Sequence, residues 1–307
     1  MTKEELKSIL KDKPGYLKCG APKLSRLFNV TKRSAKDAVR EVKIELQYPV
    51  QNFKRLIFDI ETSPNIGWFW GASWKTSIGT HQILEERKVI CVSYKWENED
   101  KVYNLSWDED KDDTALLAEF VKVLRVADEV VAHNGDKFDI PWLRTRCLIK
   151  KLPFPAYIKS LDTLLKARGG FNFQSNRLDY IAQIMGLGGK IKIDPEVWKF
   201  VCFSPIGSKE YKEGMQEMLE YCDYDVTLLE DVYHGLVKYI KPNTHVGIWA
   251  GKKAHSCPQC GAEDVEYVKN NVTIGGIIKR QMSCNTCSSE FVISNSTFLK
   301  LKDNGDV

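Results

Sequence analysis

Two carboxylates stand close together at the end of an apolar stretch. Asp59 and Glu61 occupy positions i and i+2 at the end of the apolar run Leu56–Ile60. A strand would present both side chains on one face, because successive side chains alternate between faces. Acidic side chains in an apolar strand are costly unless they are paired or bind a cation. The pair is therefore a candidate for metal binding, although a strand-end Asp that caps the following turn would give the same pattern.

A third carboxylate and a phenol–carboxylate pair occur further along the chain. Asp139 closes the segment His133–Asp139, which has the composition of a tight turn leading into a helix. Tyr221 and Asp225 lie four residues apart in a long helical pattern, so they share one helix face, from which Asp223 points away. Asp139 could have no catalytic role, because an acidic residue is favourable near any helix N-terminus. Tyr221 and Asp225 could likewise belong to an ordinary solvated helix face.

Alternating strand and helix signals surround these residues. Three strand patterns in succession are followed by strand–helix–strand units, which predicts an α/β fold with a mixed sheet flanked by helices. The predicted strands cover residues 56–60, 89–96, 102–107, 129–132 and 158–161. The predicted helices cover residues 114–126, 138–149, 177–185 and 211–239.

Together the motifs resemble the DEDD superfamily of 3′–5′ exonucleases, in its tyrosine-bearing branch. Order and spacing agree over residues 53–240, and two further segments look like stand-alone, ribonuclease-H-like exonucleases of bacteria and phages. The resemblance implies a ribonuclease-H-like fold. Because no polymerase palm motif follows, we do not expect the activity to be fused to a polymerase. The matching segments are Phe58-Asp59-Ile60-Glu61-Thr62, His133-Asn134-Gly135 with Phe138-Asp139, Tyr221-x3-Asp225, Leu161–Leu164 and Ser175–Ile181.

The resemblance also implies a role for each residue. Two Mg²⁺ or Mn²⁺ ions about 3.5–4 Å apart would activate a water and stabilise the departing 3′-oxyanion. Asp59 would bridge both ions, and Asp139 would hold the second one. Glu61 and Asp225 would complete the ion that activates water. Tyr221 would orient that water, because a phenol with an ordinary pKa of about 10 is a poor base at neutral pH.

Several side chains near these motifs are candidates for substrate contact. The loop after the first strand is aromatic, with Phe69 and Trp74 beside two further tryptophans, and bases of a single strand stack on such rings. Aromatics that pack on one another would explain part of this loop. Basic side chains near the Gly169-Gly170 turn could contact phosphate or only solvent. The candidate set is Asn134, Trp68, Trp70, Lys166, Arg168 and Arg177.

Four cysteines late in the sequence have metal-ligand spacing. Cys257-x2-Cys260 and Cys284-x2-Cys287 are separated by 23 residues, with Gly261 after the first pair. This is the zinc-ribbon pattern, in which two knuckles supply four thiolates to one tetrahedral ion. We therefore expect one structural Zn²⁺, held by Cys257, Cys260, Cys284 and Cys287. The pattern does not distinguish a ribbon that binds nucleic acid from one that binds a protein partner.

The first part of the chain has the pattern of a helix-turn-helix. Apolar Leu24, Leu27 and Phe28 precede a turn at Asn29, and Thr31 is placed to cap a second helix. Such helices enter a major groove or lie along phosphates. A basic helical hairpin that packs on the core would have the same pattern. The candidate nucleic-acid contacts on the second helix are Lys32, Arg33, Lys36 and Arg40.

Composition and charge limit what the whole chain can be. Of its 307 residues 43% are hydrophobic and 28% charged, which is typical of a globular protein, and no apolar run is long enough to span a bilayer. Five of the nine cysteines are scattered, which argues against a disulfide framework. Residues 1–56 hold 14 Lys and Arg against 6 Asp and Glu, whereas residues 57–242 hold 24 against 29. A basic arm before an acidic middle suggests a polyanion-binding module attached to a cation-holding domain.

These patterns predict three domains and one leading function. A basic helical domain covers residues 1–50, a ribonuclease-H-like exonuclease domain 53–241 and a zinc ribbon 250–300. Polar Met1–Glu5 has no secretory segment, so a cytoplasmic location is expected, without a membrane partner. The leading hypothesis is a metal-dependent 3′–5′ exonuclease acting on single-stranded or 3′-ended DNA in preference to RNA. The alternatives are a non-catalytic DNA-binding or recruitment factor and a structure-specific endonuclease.

Overall fold

The computed structural model describes residues 1–13, 16, 21–47, 53–71, 73 and 76–303, and of residues 40, 43–47 and 303 only the backbone. The chain divides into two compact units. One is Lys54–Ile240, and the other combines Met1–Phe53 with Lys241–Val307. The expected boundary at residues 48–53 falls, except for Phe53, outside the described residues.

The strands of the unit Lys54–Ile240 are β1 (Arg55–Thr62), β2 (Ile66–Gly67), β3 (Ile83–Glu85), β4 (Val89–Trp96), β5 (Tyr103–Ser106), β6 (Glu129–Ala132) and β7 (Ser160–Asp162). Five of them form one sheet in the order β5-β4-β1-β6-β7. The central β1 is antiparallel to β4 and parallel to β6, and β7 extends the parallel part. This mixed sheet, flanked by helices, confirms the predicted fold class.

The helices of this unit are α4 (Thr114–Val126), α5 (Asp139–Ile149), α6 (Thr163–Gly170), α7 (Leu178–Ile184), α8 (Glu196–Phe203) and α9 (Lys209–Val237). In this numbering α1 to α3 belong to the N-terminal segment. The longest helix, α9, is capped at its N-terminus by Ser208, whose hydroxyl accepts a hydrogen bond from the Tyr211 amide at 3.2 Å. The N-terminal half of α9 packs on α8, where Gly214 lies against Phe200 and Val201. Of the helices that the structure describes, none has the length and apolar character needed to cross a membrane.

Alternation along β1 decides which layer each of its side chains enters. Leu56, Phe58 and Ile60 are buried in one apolar cluster, together with side chains of α4 and α5. Ile57 points the other way, into a cluster built largely from α7 and α9. Because the side-chain period of a strand is two, Asp59 and Glu61 lie on the face of Ile57. The carboxylates of β1 therefore face α9.

The N-terminal segment forms α1 (Lys3–Asp12), α2 (Ala21–Phe28) and α3 (Lys32–Gln47). Asn29 between α2 and α3 has a φ of 47°, and the Thr31 hydroxyl accepts a hydrogen bond from the Ser34 amide at 3.0 Å. These are the turn and the cap that the sequence predicted. The small core contains side chains from all three helices, while Leu27 is 54% exposed. The sequence pattern had not indicated α1.

The C-terminal segment begins with the short α10 (Val246–Trp249) and continues as β8 (Val265–Val272), β9 (Ile278–Cys284), β10 (Glu290–Ser294) and α11 (Asn295–Asp303). The three strands form an antiparallel sheet in the order β10-β9-β8. Its buried cluster joins Cys257 and Cys284 to apolar side chains of the strands and α11. Two of the four candidate zinc ligands, Cys257 and Cys284, are thus part of this small core.

Candidate active site

The carboxyl ends of the parallel strands β1, β6 and β7 meet at one edge of the sheet. Asp59 and Glu61 close β1 and are largely buried, while the turn to Asp139 follows β6. In open α/β sheets this edge is the usual place for a ligand site. The sheet order therefore brings the first two sequence motifs together.

Helix α9 supplies the third motif to the same edge. Asp225 is buried and Tyr221, one turn earlier, is partly buried on the same side. Between them Cys222 contacts Asp59: its thiol donates to the Asp59 carbonyl at 3.6 Å and lies 3.9 Å from Asp59 Oδ2. Asp223 instead bonds to the side chain of Asn104, away from this cluster. The i, i+4 pair therefore lies against the β1 carboxylates.

A tight turn places Asp139 at the start of α5. Asn134 has a φ of 71°, and a Cβ on Gly135 would lie 2.4 Å from the Cβ of Ala132, so this turn requires glycine there. Asp162 holds the turn, because its carboxylate accepts hydrogen bonds from the Asn134 and Asp136 amides at 3.0 and 3.2 Å. Asp139 is left 2% exposed, with its side chain at the sheet edge.

Burial raises the pKa of every carboxyl in the cluster, and mutual repulsion adds to this at Asp59, Glu61 and Asp139. Burial first, and then the charge of Asp225, raise the pKa of Asp59 to about 7. The pKa values of Glu61 and Asp139 are held well above their ordinary range by burial and by the charge of Asp59. Burial also raises the pKa of Asp225, though a neighbouring lysine opposes this. The crowding therefore opposes ionisation of all these carboxyls at the same time.

That lysine is Lys190, which belongs to none of the sequence motifs described above. Its ammonium forms an ion pair with Asp225 and donates to the Tyr221 hydroxyl at 3.2 Å. Burial would lower the pKa of Lys190, but the charge of Asp225 and their hydrogen bond raise it above its ordinary value. The ammonium is thus a fixed positive charge in the carboxylate cluster.

The loop that carries Lys190 is held by two hydrogen bonds. The Lys190 amide donates to Asp179 Oδ1 at 2.7 Å, and the Tyr224 hydroxyl donates to the Gly189 carbonyl at 3.0 Å. Gly188 has a φ of 90° and turns the chain toward α9. A Gly-Gly dipeptide such as Gly188-Gly189 is a general turn signal, but no spacing rule places a lysine 35 residues from its partner Asp225.

The donor set fits a divalent cation. Asp139 Oδ1 and Asp225 Oδ1 are both buried and have no hydrogen-bond partner among the described residues. Buried acceptors of this kind are rare unless another group satisfies them. Oxygen ligands from carboxylates are those that Mg²⁺ and Mn²⁺ prefer. The residues of the predicted metal site could therefore hold such an ion.

A polar cavity of about 850 Å³ opens beside this cluster. Three of the candidate substrate contacts line it, namely Asn134, Arg168 and Arg177, whereas Lys166 does not. Lys190 and Lys192 add two more cations to the wall. The four carboxylates of the cluster do not line the cavity, and Lys190, through its ion pair with Asp225, is the wall residue that links it to the cluster.

His133 also lines the cavity but is fully hydrogen-bonded. One ring nitrogen lies 2.9 Å from the Thr163 hydroxyl and the other 3.0 Å from the Asn176 carbonyl. Burial lowers the pKa of His133 to about 4, so the ring is neutral at neutral pH. The geometry is that of a positioning side chain.

The aromatic loop after β1 is exposed. Trp68 is 42% and Trp70 95% exposed, and their rings meet edge to face at 5.9 Å. The Trp68 backbone is fixed by Gln82, whose carbonyl accepts from the Trp68 amide at 3.0 Å. Trp74 lies outside the described residues. Two indole faces are thus available to a ligand, although they also contact each other.

The four predicted zinc ligands come together. Sulfur atoms of Cys257 and Cys287 are 3.6 Å apart, as are those of Cys260 and Cys284, and all four lie within 4.8 Å of one another. In the described part of the chain no other group of three or more Cys, His, Asp or Glu is this compact. Such a cluster of sulfur atoms fits the tetrahedral coordination of zinc.

The basic side chains of α3 lie on its outer face. Lys32, Arg33 and Lys36 are exposed, whereas Ala35 and Ala38 are buried against the other two helices. The side chain of Arg40 lies outside the described residues. The described cations are therefore open to solvent on one side of α3.

Comparison with known proteins gives one family and one solved structure. A family model described as RNase_H superfamily matches residues 56–237, and no curated protein matches the chain. The family B DNA polymerase from the hyperthermophilic archaeon Pyrobaculum calidifontis is similar at 14% identity, with a TM-score of 0.43. That match covers 73% of this chain and 31% of the polymerase, so this chain corresponds to about a third of the polymerase's length. The family match extends over more than half of this chain.

Proposed function

The chain belongs to the RNase H superfamily, and we propose that it is a metal-dependent nuclease that shortens nucleic acid strands from the 3′ end, with DNA preferred over RNA. The main support is the meeting of four carboxylates and one phenol where three parallel strands end beside α9. The residues to which we assign catalysis are Asp59, Glu61, Asp139, Tyr221 and Asp225.

The carboxylates are the proposed holders of two Mg²⁺ or Mn²⁺ ions. Bound there, the ions would supply an activated water and charge stabilisation for the departing 3′-oxygen. The raised pKa values of Asp59 and Glu61 and the unpartnered oxygens of Asp139 and Asp225 support this assignment. Raised pKa values and unpartnered oxygens are both expected of carboxylates that could accept a bound cation.

Tyr221 is the proposed positioning group for the attacking water. Burial and the charge of Asp225 raise the pKa of Tyr221 to about 12, so the hydroxyl keeps its proton at neutral pH. Its oxygen accepts a hydrogen bond from Lys190, and a hydrogen bond from the hydroxyl to Asp225 acts to lower the pKa of that carboxyl. A protonated phenol in this setting orients a water and does not act as a base.

The cavity beside the cluster is the proposed path of the substrate strand. Arg168, Arg177 and Lys192 line it and offer cations to phosphates, while the two exposed tryptophans offer faces for base stacking. Preference for DNA rests on the helix-turn-helix pattern of α2 and α3, whose exposed cations suit duplex phosphates. We assign α3 the role of tethering the chain to longer DNA.

The cysteine cluster is the proposed site of one structural Zn²⁺. Burial raises the pKa of the Cys257 and Cys260 thiols, whereas at Cys287 burial is outweighed by hydrogen bonds from Ser289 and the neighbouring thiols, which lower its pKa. A thiolate is the form that binds zinc. Four sulfur atoms within 4.8 Å support a closed, non-catalytic site.

Labelled oligonucleotides test the proposed activity. Single-stranded DNA and RNA of one sequence, labelled at the 5′ end, are incubated with Mg²⁺, with Mn²⁺ and without added cation. We expect a ladder that shortens from the 3′ end, is stronger on DNA and requires the cation. Circular single-stranded DNA should resist.

Other outcomes would favour the rival functions. Cuts within circular DNA would indicate an endonuclease with the same metal chemistry. Binding of DNA without cleavage under any of these conditions would favour the function of a non-catalytic DNA-binding or recruitment factor.

A further inference from the structure

Strands β8 and β9 form a hairpin that projects beyond the small core around the cysteines. Every residue of β8 after Val265 is exposed, whereas Met282 and Cys284 of β9 are buried. β10 pairs with β9 only as far as Lys279, so the end of the hairpin has no third strand. We call residues 267–282 the hairpin arm.

The end of the hairpin arm is apolar. Val272, Ile274 and Ile277 are 59%, 112% and 63% exposed, and none of them belongs to an apolar cluster of the described residues. A tight turn holds them outward: the Gly276 amide donates to the Thr273 carbonyl at 2.8 Å, and Gly276 has a φ of 76°. Three branched side chains at the end of a projecting hairpin indicate a contact surface.

The hairpin arm is also basic. Residues 267–282 contain Lys269, Lys279 and Arg280 and no acidic residue. Lys269 and Lys279 are exposed and form no ion pair within the described chain. In the stretch 257–294 the acidic residues lie outside the arm, at Glu263, Asp264, Glu266 and Glu290. Within that stretch all the Lys and Arg residues therefore belong to the arm.

The base of the hairpin arm is held in place by Arg280. Its guanidinium donates two hydrogen bonds to Asn295 Oδ1, at 2.9 and 2.7 Å, and lies 4.8 Å from the ring centre of Phe298. Tyr267 packs on the same ring at 5.1 Å. The arm is thus anchored to α11, which keeps its tip in a defined position.

The edge of the arm is poorly suited to pairing with a strand of another protein. The register of β8 against β9 shifts between Tyr267 and Lys269, and Lys269 stands on this outer strand. Bulges and lysines on an edge strand both oppose edge-to-edge pairing. A polyanion suits the charge of the arm better than a protein strand does.

We propose that the hairpin arm binds duplex nucleic acid, with Lys269 and Lys279 on phosphates and Ile274 and Ile277 inserted at the bases. Exposed β-ribbons enter grooves of duplexes, and apolar wedges such as isoleucine insert between base steps in the minor groove. The inference rests on the proposed function, since it takes nucleic acid as the ligand. It assigns a further contact, in addition to α3 and to the cavity that would take the strand being cut.

Binding of a short fluorescent DNA duplex to the full zinc-containing chain, without added Mg²⁺ or Mn²⁺, tests the proposal. The variant Ile274→Ser/Ile277→Ser should lose about tenfold or more in duplex affinity, as expected for inserted anchor side chains. The variant Lys269→Gln/Lys279→Gln should lower the slope of log affinity against log salt by about 2. Val292→Ser and Lys300→Gln, exposed positions of the same segment outside the arm, serve as matched controls.

The insertion step has its own readout. A fluorescent base analogue within the duplex should brighten on binding to the parent chain, because unstacking relieves its quenching, but not on binding to the isoleucine variant. Equal duplex affinity of the arm variants and their controls would overturn the proposal. So would a concentration-dependent dimer that the isoleucine substitutions abolish without changing DNA affinity. Cleavage of short single strands is measured in parallel, so failure of the nuclease assignment is seen independently of the arm.

Discussion

At the scale of single residues, the candidate site places several carboxyl groups close to one lysine. Asp59, Glu61 and Asp139 are crowded at the end of β1 and the start of α5, and burial raises the pKa of each. Lys190 compensates only Asp225 directly. This imbalance has consequences for stability that can be measured without any assay of activity.

The substitution Asp59→Asn should stabilise the metal-free chain at alkaline pH. The pKa of Asp59 is raised from 3.8 to about 7, so between these values the folded chain binds more protons than the unfolded chain. Its free energy of unfolding must then fall as pH rises through this window. We expect Asp59→Asn to melt higher than the parent at about pH 8, with the difference largely gone at about pH 4. Asp223→Asn is the control, and an equal or lower melting temperature of Asp59→Asn at the higher pH would contradict the crowding.

The substitution Lys190→Met should have the opposite effect. It leaves Asp225 buried without its cation, so the pKa of Asp225 should rise further. Charged Asp225 then costs more at alkaline pH, so the metal-free variant should melt below the parent at about pH 8 and approach it at about pH 5. Lys192→Met, in the same loop but outside the pair, should melt like the parent. A loss of stability that does not change with pH would mean that Lys190 acts by packing.

At the scale of elements, periodicity predicted most of what positions the site. The period of two in β1 and the i, i+4 relation in α9 put the right residues on the right faces, and α4 and β6 agree with their predicted bounds. Short or irregular elements were missed: α8, β10 and the loop that carries Lys190 have weak patterns. That loop is positioned by long-range hydrogen bonds to Asp179 and Tyr224, which no local pattern encodes.

The turn between β6 and α5 gives a prediction at this scale. Gly135→Ala would place a Cβ 2.4 Å from the Cβ of Ala132, so the turn must move. We expect a clear loss of stability and a displaced Asp139, and hence weaker binding of Mn²⁺, measured by calorimetry. Gly169→Ala is the control, since a Cβ there meets nothing within 4 Å. Unchanged melting and Mn²⁺ binding in Gly135→Ala would show that the turn does not position Asp139.

At the scale of the whole molecule, we assign separate metal sites to separate parts of the chain. The interacting carboxyls lie in the unit Lys54–Ile240, and the compact group of sulfur atoms lies in the C-terminal segment. The cysteine spacing predicted the zinc site from the sequence, because four thiols at ribbon spacing are rarely accidental. The exposed tip of the hairpin arm could not be predicted in that way, since exposure is a property of the folded chain.

Removal of one thiol should affect only the C-terminal segment. A small ribbon buries too little apolar surface to fold without its ion, so metal binding is part of its folding energy. Cys284→Ser should therefore make residues 250–295 sensitive to protease while cleavage of short oligonucleotides continues. Elemental analysis of the parent should find about one zinc per chain. No zinc, together with four freely titratable thiols in the native chain, would contradict the assignment.

The central claim is that the carboxylates at the end of β1 and on α9 catalyse the metal-dependent hydrolysis of phosphodiester bonds. The most direct test compares Mg²⁺-dependent shortening of 5′-labelled single-stranded DNA by Asp225→Asn and Asp223→Asn, two substitutions two residues apart on one helix. The account predicts that Asp225→Asn loses at least ~10²-fold in rate, as expected for a group that stabilises the transition state, while Asp223→Asn stays near the parent. Near-parental cleavage by Asp225→Asn, or equal loss in both variants, would contradict it.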